Sequence, residues 1–407
     1  MFSTKIILPH INPKTQKDLT KIFLVLVIVV VVFTGITSTN ANDGSLWIKA
    51  GKHFFNALQH KDFLDTHYSS RFGVSVMWLY GLAKAIWLIT SFSIEQILAT
   101  IVFLLSVTGI VIFVKRLKKL DSQPIPSFTI LTYLLLAPYI VSSPLATTWL
   151  DKILTISVTL CVVFWTEYLF RNKSTSLILL SGLTLGVAFL TKPAGIILVP
   201  ILLLMTGYII WKDHSVKTII PLLYVFIIGA STFIFCYPAM WIDPLGVLFS
   251  RIDSPEAHLD LTVPFLTNNS FVPYLGNIVE GVFADFLLTV GTIMILVDFV
   301  VALKNKAFKK FITPLTFISI AGTCFVAISF ILALFLVDKQ YGNVISPRYI
   351  APAIPLVAIY PLIKLRNNKI ILSLAFLIQI YRLPVIIISL WYLSYLIFGN
   401  VIYLPYW

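Results

Sequence analysis

Val74-Ser75-Val76-Met77-Trp78-Leu79-Tyr80-Gly81-Leu82-Ala83-Lys84-Ala85-Ile86-Trp87-Leu88-Ile89-Thr90-Ser91-Phe92 is the stretch on which the fold turns. It is long enough to cross a bilayer, yet Trp78, Tyr80, Lys84 and Trp87 break its apolar run and suit a helix lying along the surface. About 20 apolar residues are needed to cross roughly 30 Å of hydrocarbon. Runs of that kind occur near 20–38, 96–114, 128–146, 152–170, 176–191, 194–211, 217–236, 280–303, 312–337 and 349–363. The stretch 369–402 reads as two more, broken near Arg382-Leu383-Pro384, which makes about twelve spans.

The basic residues decide how 74–92 sits. If it lies flat, Lys5, Lys14, Lys17 and Lys21 share one side with Lys115-Arg116-Lys118-Lys119, Arg171-Lys173, Lys212-Lys217, Lys304-Lys306-Lys309-Lys310 and Lys364-Arg366-Lys369. That side then carries 19 of the 30 Lys and Arg residues, all in short connections, as expected of a cytoplasmic face. If 74–92 crosses, every cluster after the first changes side and the pattern is lost. The expectation is therefore an interfacial helix, with its Trp and Tyr rings at headgroup depth and Lys84 reaching for water. The N-terminus is then cytoplasmic, and Asp43, the loop 40–73, Asp151, Lys192, the loop 237–279 and the segment 337–348 face outward.

Composition agrees with this class. The chain has 407 residues, 58% hydrophobic and 12% charged, and a mean hydropathy of +0.95, too apolar for one water-soluble core. A net charge of +13 raises the possibility of nucleic-acid binding, but the cations fall in clusters between apolar runs, and topology explains them better. Cys161, Cys236 and Cys324 each sit inside an apolar run and none has metal-ligand spacing. The first apolar run has basic flanks and small residues after it, as a cleaved leader would. Its length and the polar residues that follow favour a retained first helix. The expected fold is an all-α polytopic membrane protein, a single domain over 1–407 with a first outer loop at 38–95 and a large outer loop at 237–279.

The outward side gathers the residues suited to chemistry. Asp43, in Asn42-Asp43-Gly44-Ser45, follows the first span, and Asp151, in Thr147-Thr148-Trp149-Leu150-Asp151-Lys152, opens a later one. Each alone is an ordinary solvated or capping acid. Two on one face meet the needs of a general base with an orienting partner, or of a divalent metal. Lys192 ends an apolar run in Leu190-Thr191-Lys192-Pro193-Ala194-Gly195, where the turn fixes it as either a snorkelling lysine or a cation for phosphate. Arg348, in Ser346-Pro347-Arg348-Tyr349, offers a planar fork for phosphate, and Tyr349 a hydroxyl. Glu256 and His258 in the large loop are two apart, which does not suit a zinc helix and leaves solvated loop residues or contacts to a sugar or acceptor.

These segments resemble the C-type glycosyltransferases that use a polyprenyl-phosphate sugar, particularly the protein O-mannosyltransferase (family 39) and aminoarabinose transferase group. The likeness is carried in order by Asp43 after the first helix, the loop through 74–92, Asp151, Leu190-Thr191-Lys192-Pro193, Pro238-Ala239-Met240-Trp241-Ile242-Asp243-Pro244 and Pro347-Arg348-Tyr349. Relatives often have an Asp-Glu pair in the first loop, where this chain has Asp43-Gly44. They often have Pro-Gly-Val after a Thr-Tyr segment, where it has Phe72-Gly73-Val74 after Thr66-His67-Tyr68.

The resemblance implies a C-type bundle in the cell membrane that transfers a sugar with inversion, on the extracytoplasmic face, to a hydroxyl of a protein, lipid or glycan. Asp43 and Asp151 are the expected catalytic acids. Lys192, Arg348 and Tyr349 are expected at the donor phosphate, and Tyr68, Glu256 and His258 at the substrates. No organic cofactor is implied; a divalent metal is left open. A polymerase or ligase of lipid-linked sugars would share these features. A transporter or flippase would instead place ionisable groups near mid-membrane on broken helices.

Overall fold

The computed structural model describes residues 44–67, 73–120, 127–136, 149–247, 286–336 and 350–365. The described residues are helical, with no strand among them. The principal helices are α1 (Gly44–Gln59), α2 (Val74–Trp87), α3 (Ile94–Leu120), α4 (Ser127–Leu136), α5 (Trp149–Phe170), α6 (Thr175–Thr191), α7 (Leu198–Asp213), α8 (Ile219–Cys236), α9 (Phe286–Lys304), α10 (Pro314–Leu336) and α11 (Ile354–Lys364). Among the described residues, five helical stretches are long and apolar enough to cross a membrane: Ile94–Leu120, Trp149–Phe170, Pro193–Asp213, Val216–Cys236 and Leu287–Lys304. The expected spans 20–38 and 369–402 and the stretch 137–146 lie outside the described residues, as does most of the loop 237–279.

The helix at the centre is α5. Every residue in it is buried except Leu160 and Phe170, and it packs on α3, α6, α7 and α10. A helix apolar on all sides belongs inside a bundle. Its threonine hydroxyls are met within the helix: Thr155 Oγ1 donates to the Asp151 carbonyl at 2.7 Å, Thr159 to the Thr155 carbonyl at 2.6 Å and Thr166 to the Val162 carbonyl at 2.8 Å.

Contacts fix the directions of α3, α6 and α8 relative to α5. α3 runs parallel to α5, because Lys152 lies over the Phe103 ring, Gly109 meets Ile156, and Arg116 reaches Glu167. α6 runs the other way, since Cys161 meets Ser181 and Asp151 meets Lys192. α8 follows α6, with Gly182 against Ile228 and Gly186 against Thr232. The absence of side chains on these glycines lets the two helices approach closely.

One end of the bundle is basic. Arg171 Nη2 donates to the Leu120 carbonyl at 3.2 Å, Lys212 lies over the Phe170 ring, and Tyr208, Phe308 and Phe317 close an aromatic cluster beside them. Burial lowers the Lys173 ammonium pKa in the adjacent turn, an effect offset in part by Asp213. The C-terminal half of α9 joins this end through Phe299 against Phe308, and the adjacent Asp298 binds Tyr360 and Lys364 of α11.

α2 belongs wholly to the opposite end. Its first two turns meet the last residues of α6 and α8, and its last turn leads through six residues into the start of α3. Fourteen residues give about 21 Å of helix, short of the hydrocarbon thickness. Trp78, Leu82 and Trp87 are exposed along it, while Val74, Met77, Tyr80 and Ala83 face the bundle. α1 packs against it with Trp47, Ala50, Phe54 and Ala57 and leaves Lys49, Lys52 and Asn56 exposed. The segment 44–87 therefore holds two α-helices.

Candidate functional site

The site is built where α5 begins and α6 ends. Pro193 cannot continue α6, and its ring drives the preceding residue out of the helical region. Lys192 accordingly has φ −152° and ψ 150°, while its backbone N–H still closes the helix on the Ala188 carbonyl at 3.2 Å. The chain then folds back, and the Gly195 N–H donates to the Lys192 carbonyl at 2.9 Å. A Cβ on Gly195 would lie 2.6 Å from the Ala188 carbonyl group, so only glycine fits this return.

The turn aims Lys192 inward. Its Nζ donates to Asp151 Oδ1 in an ion pair; Asp151 has no exposed surface and Lys192 is 9% exposed. Asp151 lies in the first turn of α5, where the positive end of the helix dipole also favours its charge. On the next residue of the same turn, Lys152 is buried with its ammonium 4.6 Å from the centre of the Phe103 ring. Asp151 is thus paired with Lys192, while the neighbouring Lys152 is turned onto the Phe103 ring.

The start of α2 is stapled onto this spot. The Gly73 N–H donates to the Leu190 carbonyl at 3.2 Å, and Ser75 Oγ meets Thr191 Oγ1 at 3.0 Å. Gly73 has φ +148°, a conformation few other residues adopt, and the Trp47 ring occupies the space its Cβ would need. Next to it, Trp78 Nε1 donates to the Cys236 carbonyl at 2.7 Å, and the Tyr237 hydroxyl meets His67 Nδ1 at 2.5 Å.

The sequence reading gives Asp151 and Lys192 separate tasks, one as a catalytic acid and one at the donor phosphate. The structure instead joins them in one ion pair. Asp43, Tyr68, Glu256, His258, Arg348 and Tyr349 lie outside the described residues. Lys152, Ser75, Thr191 and the His67–Tyr237 pair were not singled out from sequence. Only Lys152 had a signal, a second lysine beside an acid at a helix start. Among the described residues, no group of three or more His, Cys, Asp or Glu lies together as metal ligands would.

No protein-family model matches the chain, and no curated protein matches it.

Proposed function

We propose that the chain is a membrane glycosyltransferase of the C type, with about twelve spans, that takes a sugar from a polyprenyl-phosphate donor. The N-terminus and the basic end face the cytoplasm, and the α5–α6 site faces outward at the cell membrane. The observation that carries this reading is the buried Asp151–Lys192 ion pair. It lies at the ends of apolar helices, beneath a loop helix that begins and ends on the same side of the bundle. A buried ion pair is a poor device for stability alone, because desolvation offsets most of its attraction. A cation held rigidly at a membrane boundary is well suited to the phosphate of a lipid-linked sugar.

In the proposed reaction, an acceptor hydroxyl attacks the anomeric carbon and displaces the lipid phosphate with inversion. Asp43 takes the hydroxyl proton. Lys192, with Arg348 and Tyr349, stabilises the charge growing on the departing phosphate, which needs no general acid to leave. Asp151 holds Lys192 in place. Tyr68, Glu256 and His258 contact the sugar or the acceptor.

Asp43→Asn tests the assignment of the base. In membranes supplied with a labelled polyprenyl-phosphate sugar, this variant should lose transfer while its expression stays at the wild-type level. Full transfer by the variant would remove Asp43 from the mechanism.

A further inference from the structure

The two outer loops are not independent. Cys236 and Tyr237, where α8 passes into the large outer loop, and the one-turn helix Ala239–Ile242 that follows are tied to the first loop at three points. Trp78 Nε1 donates to the Cys236 carbonyl, the Phe63 and Trp241 rings lie 5.3 Å apart, and the Tyr237 hydroxyl meets His67 Nδ1 at 2.5 Å. Tyr237 is 1% exposed, and its ring also packs edge-on against Phe233. The segment after it is folded on its own contacts: Trp241 Nε1 donates to the Ile234 carbonyl at 2.8 Å, and Asp243 Oδ1 accepts from the Gly246 N–H at 2.8 Å. Of the three ties, His67–Tyr237 is the one made between two polar side chains, so a single atom removes it.

We propose that His67 is a positioning residue, and that its hydrogen bond to Tyr237 sets the start of the large outer loop against the donor end of the site. The inference rests on the transferase reading above. The first loop is anchored beside Lys192 through Gly73–Leu190 and Ser75–Thr191. The large loop carries Glu256 and His258 in its sequence. The His67–Tyr237 bond therefore holds residues 236–242 against the loop that is anchored beside Lys192, and its loss acts on transfer rather than on phosphate binding.

The test follows a labelled polyprenyl-phosphate sugar in membranes, separating sugar transferred to membrane acceptors from sugar released to water. A parallel measurement on purified protein follows the thermal shift produced by a polyprenyl phosphate without sugar. Tyr237→Phe should reduce the transferred share about tenfold, the effect of losing one hydrogen bond from a two-position equilibrium, and leave the thermal shift unchanged. His67→Leu should do the same. His67→Gln, whose side-chain oxygen can accept from the tyrosine hydroxyl, should restore most of the transfer. Unchanged transfer in Tyr237→Phe overturns the inference, as does an equal loss of transfer and of phosphate binding, or a failure of glutamine to rescue. Wild-type membranes that consume no donor overturn the transferase reading itself, and the inference with it.

Discussion

The two ends of α5 carry the same chemical pair in opposite settings. Asp151 and Glu167 stand sixteen residues apart, about 24 Å along the helix. Each is a buried acid bound to a cation from a neighbouring helix. At the basic end, Arg116 Nη1 reaches both Glu167 oxygens at 3.2 Å, its guanidinium lies 5.4 Å over the Phe164 ring, and its side chain is 28% exposed. It is a long side chain in a cluster of basic residues, and it can keep water while it binds. At the other end, Lys192 is held by a proline turn, nearly all of it is buried, and the first loop closes over the residues beside it. The first pair is what a bundle needs where cations crowd one face. The second fixes a charge in place at the cost of desolvating it, which a folding requirement alone does not explain.

The largest effect should come from breaking the pair at the start of α5. Lys192→Met takes the paired ammonium away from the buried Asp151 carboxylate and should destabilise the protein by about 3–5 kcal/mol, read as a lower melting temperature in detergent. The exchanged double variant, Asp151→Lys with Lys192→Asp, should recover much of that stability without recovering use of a lipid-linked sugar. Recovery of both would make the pair structural. Next comes Gly195→Ala, which forces a Cβ onto the backbone of Ala188 and should cost about 1–3 kcal/mol. Because it displaces Lys192, donor use should fall more than stability does, and a purely thermal effect would detach the turn from the site. The smallest effect belongs to Glu167→Gln. It keeps the side-chain shape and leaves Arg116 part solvated, so a loss of about 1–2 kcal/mol is expected, with donor use intact. A loss of activity there would erase the contrast between the two ends.

These contrasts also mark what the sequence made legible. Apolar runs located α5 through α8 to within a few residues, because the proline and basic punctuation between them is strong. α3 runs on to Leu120, past the expected end near residue 114, since Lys115 to Lys119 can stay helical after the apolar run stops. α1 was missed because its signal is spacing rather than length. Trp47, Ala50, Phe54 and Ala57 recur at helical intervals among polar residues. Asp151 and Lys192 were each picked out from their own surroundings. Their partnership spans 41 residues and depends on α5 and α6 running antiparallel, which local pattern does not encode. Glu167 and Asp298, acids inside long apolar helices, had the same problem: their cations come from α3 and α11.

The most direct test is donor consumption by purified protein in detergent, with no second compartment present. Wild type, the exchanged Asp151→Lys/Lys192→Asp variant and Glu167→Gln are compared on the same polyprenyl-phosphate sugar. The expected result is consumption by wild type and Glu167→Gln and none by the folded exchanged variant. Consumption by all three, or by none, would contradict the claim that the start of α5 and the end of α6 form the phosphate end of a glycosyltransferase site.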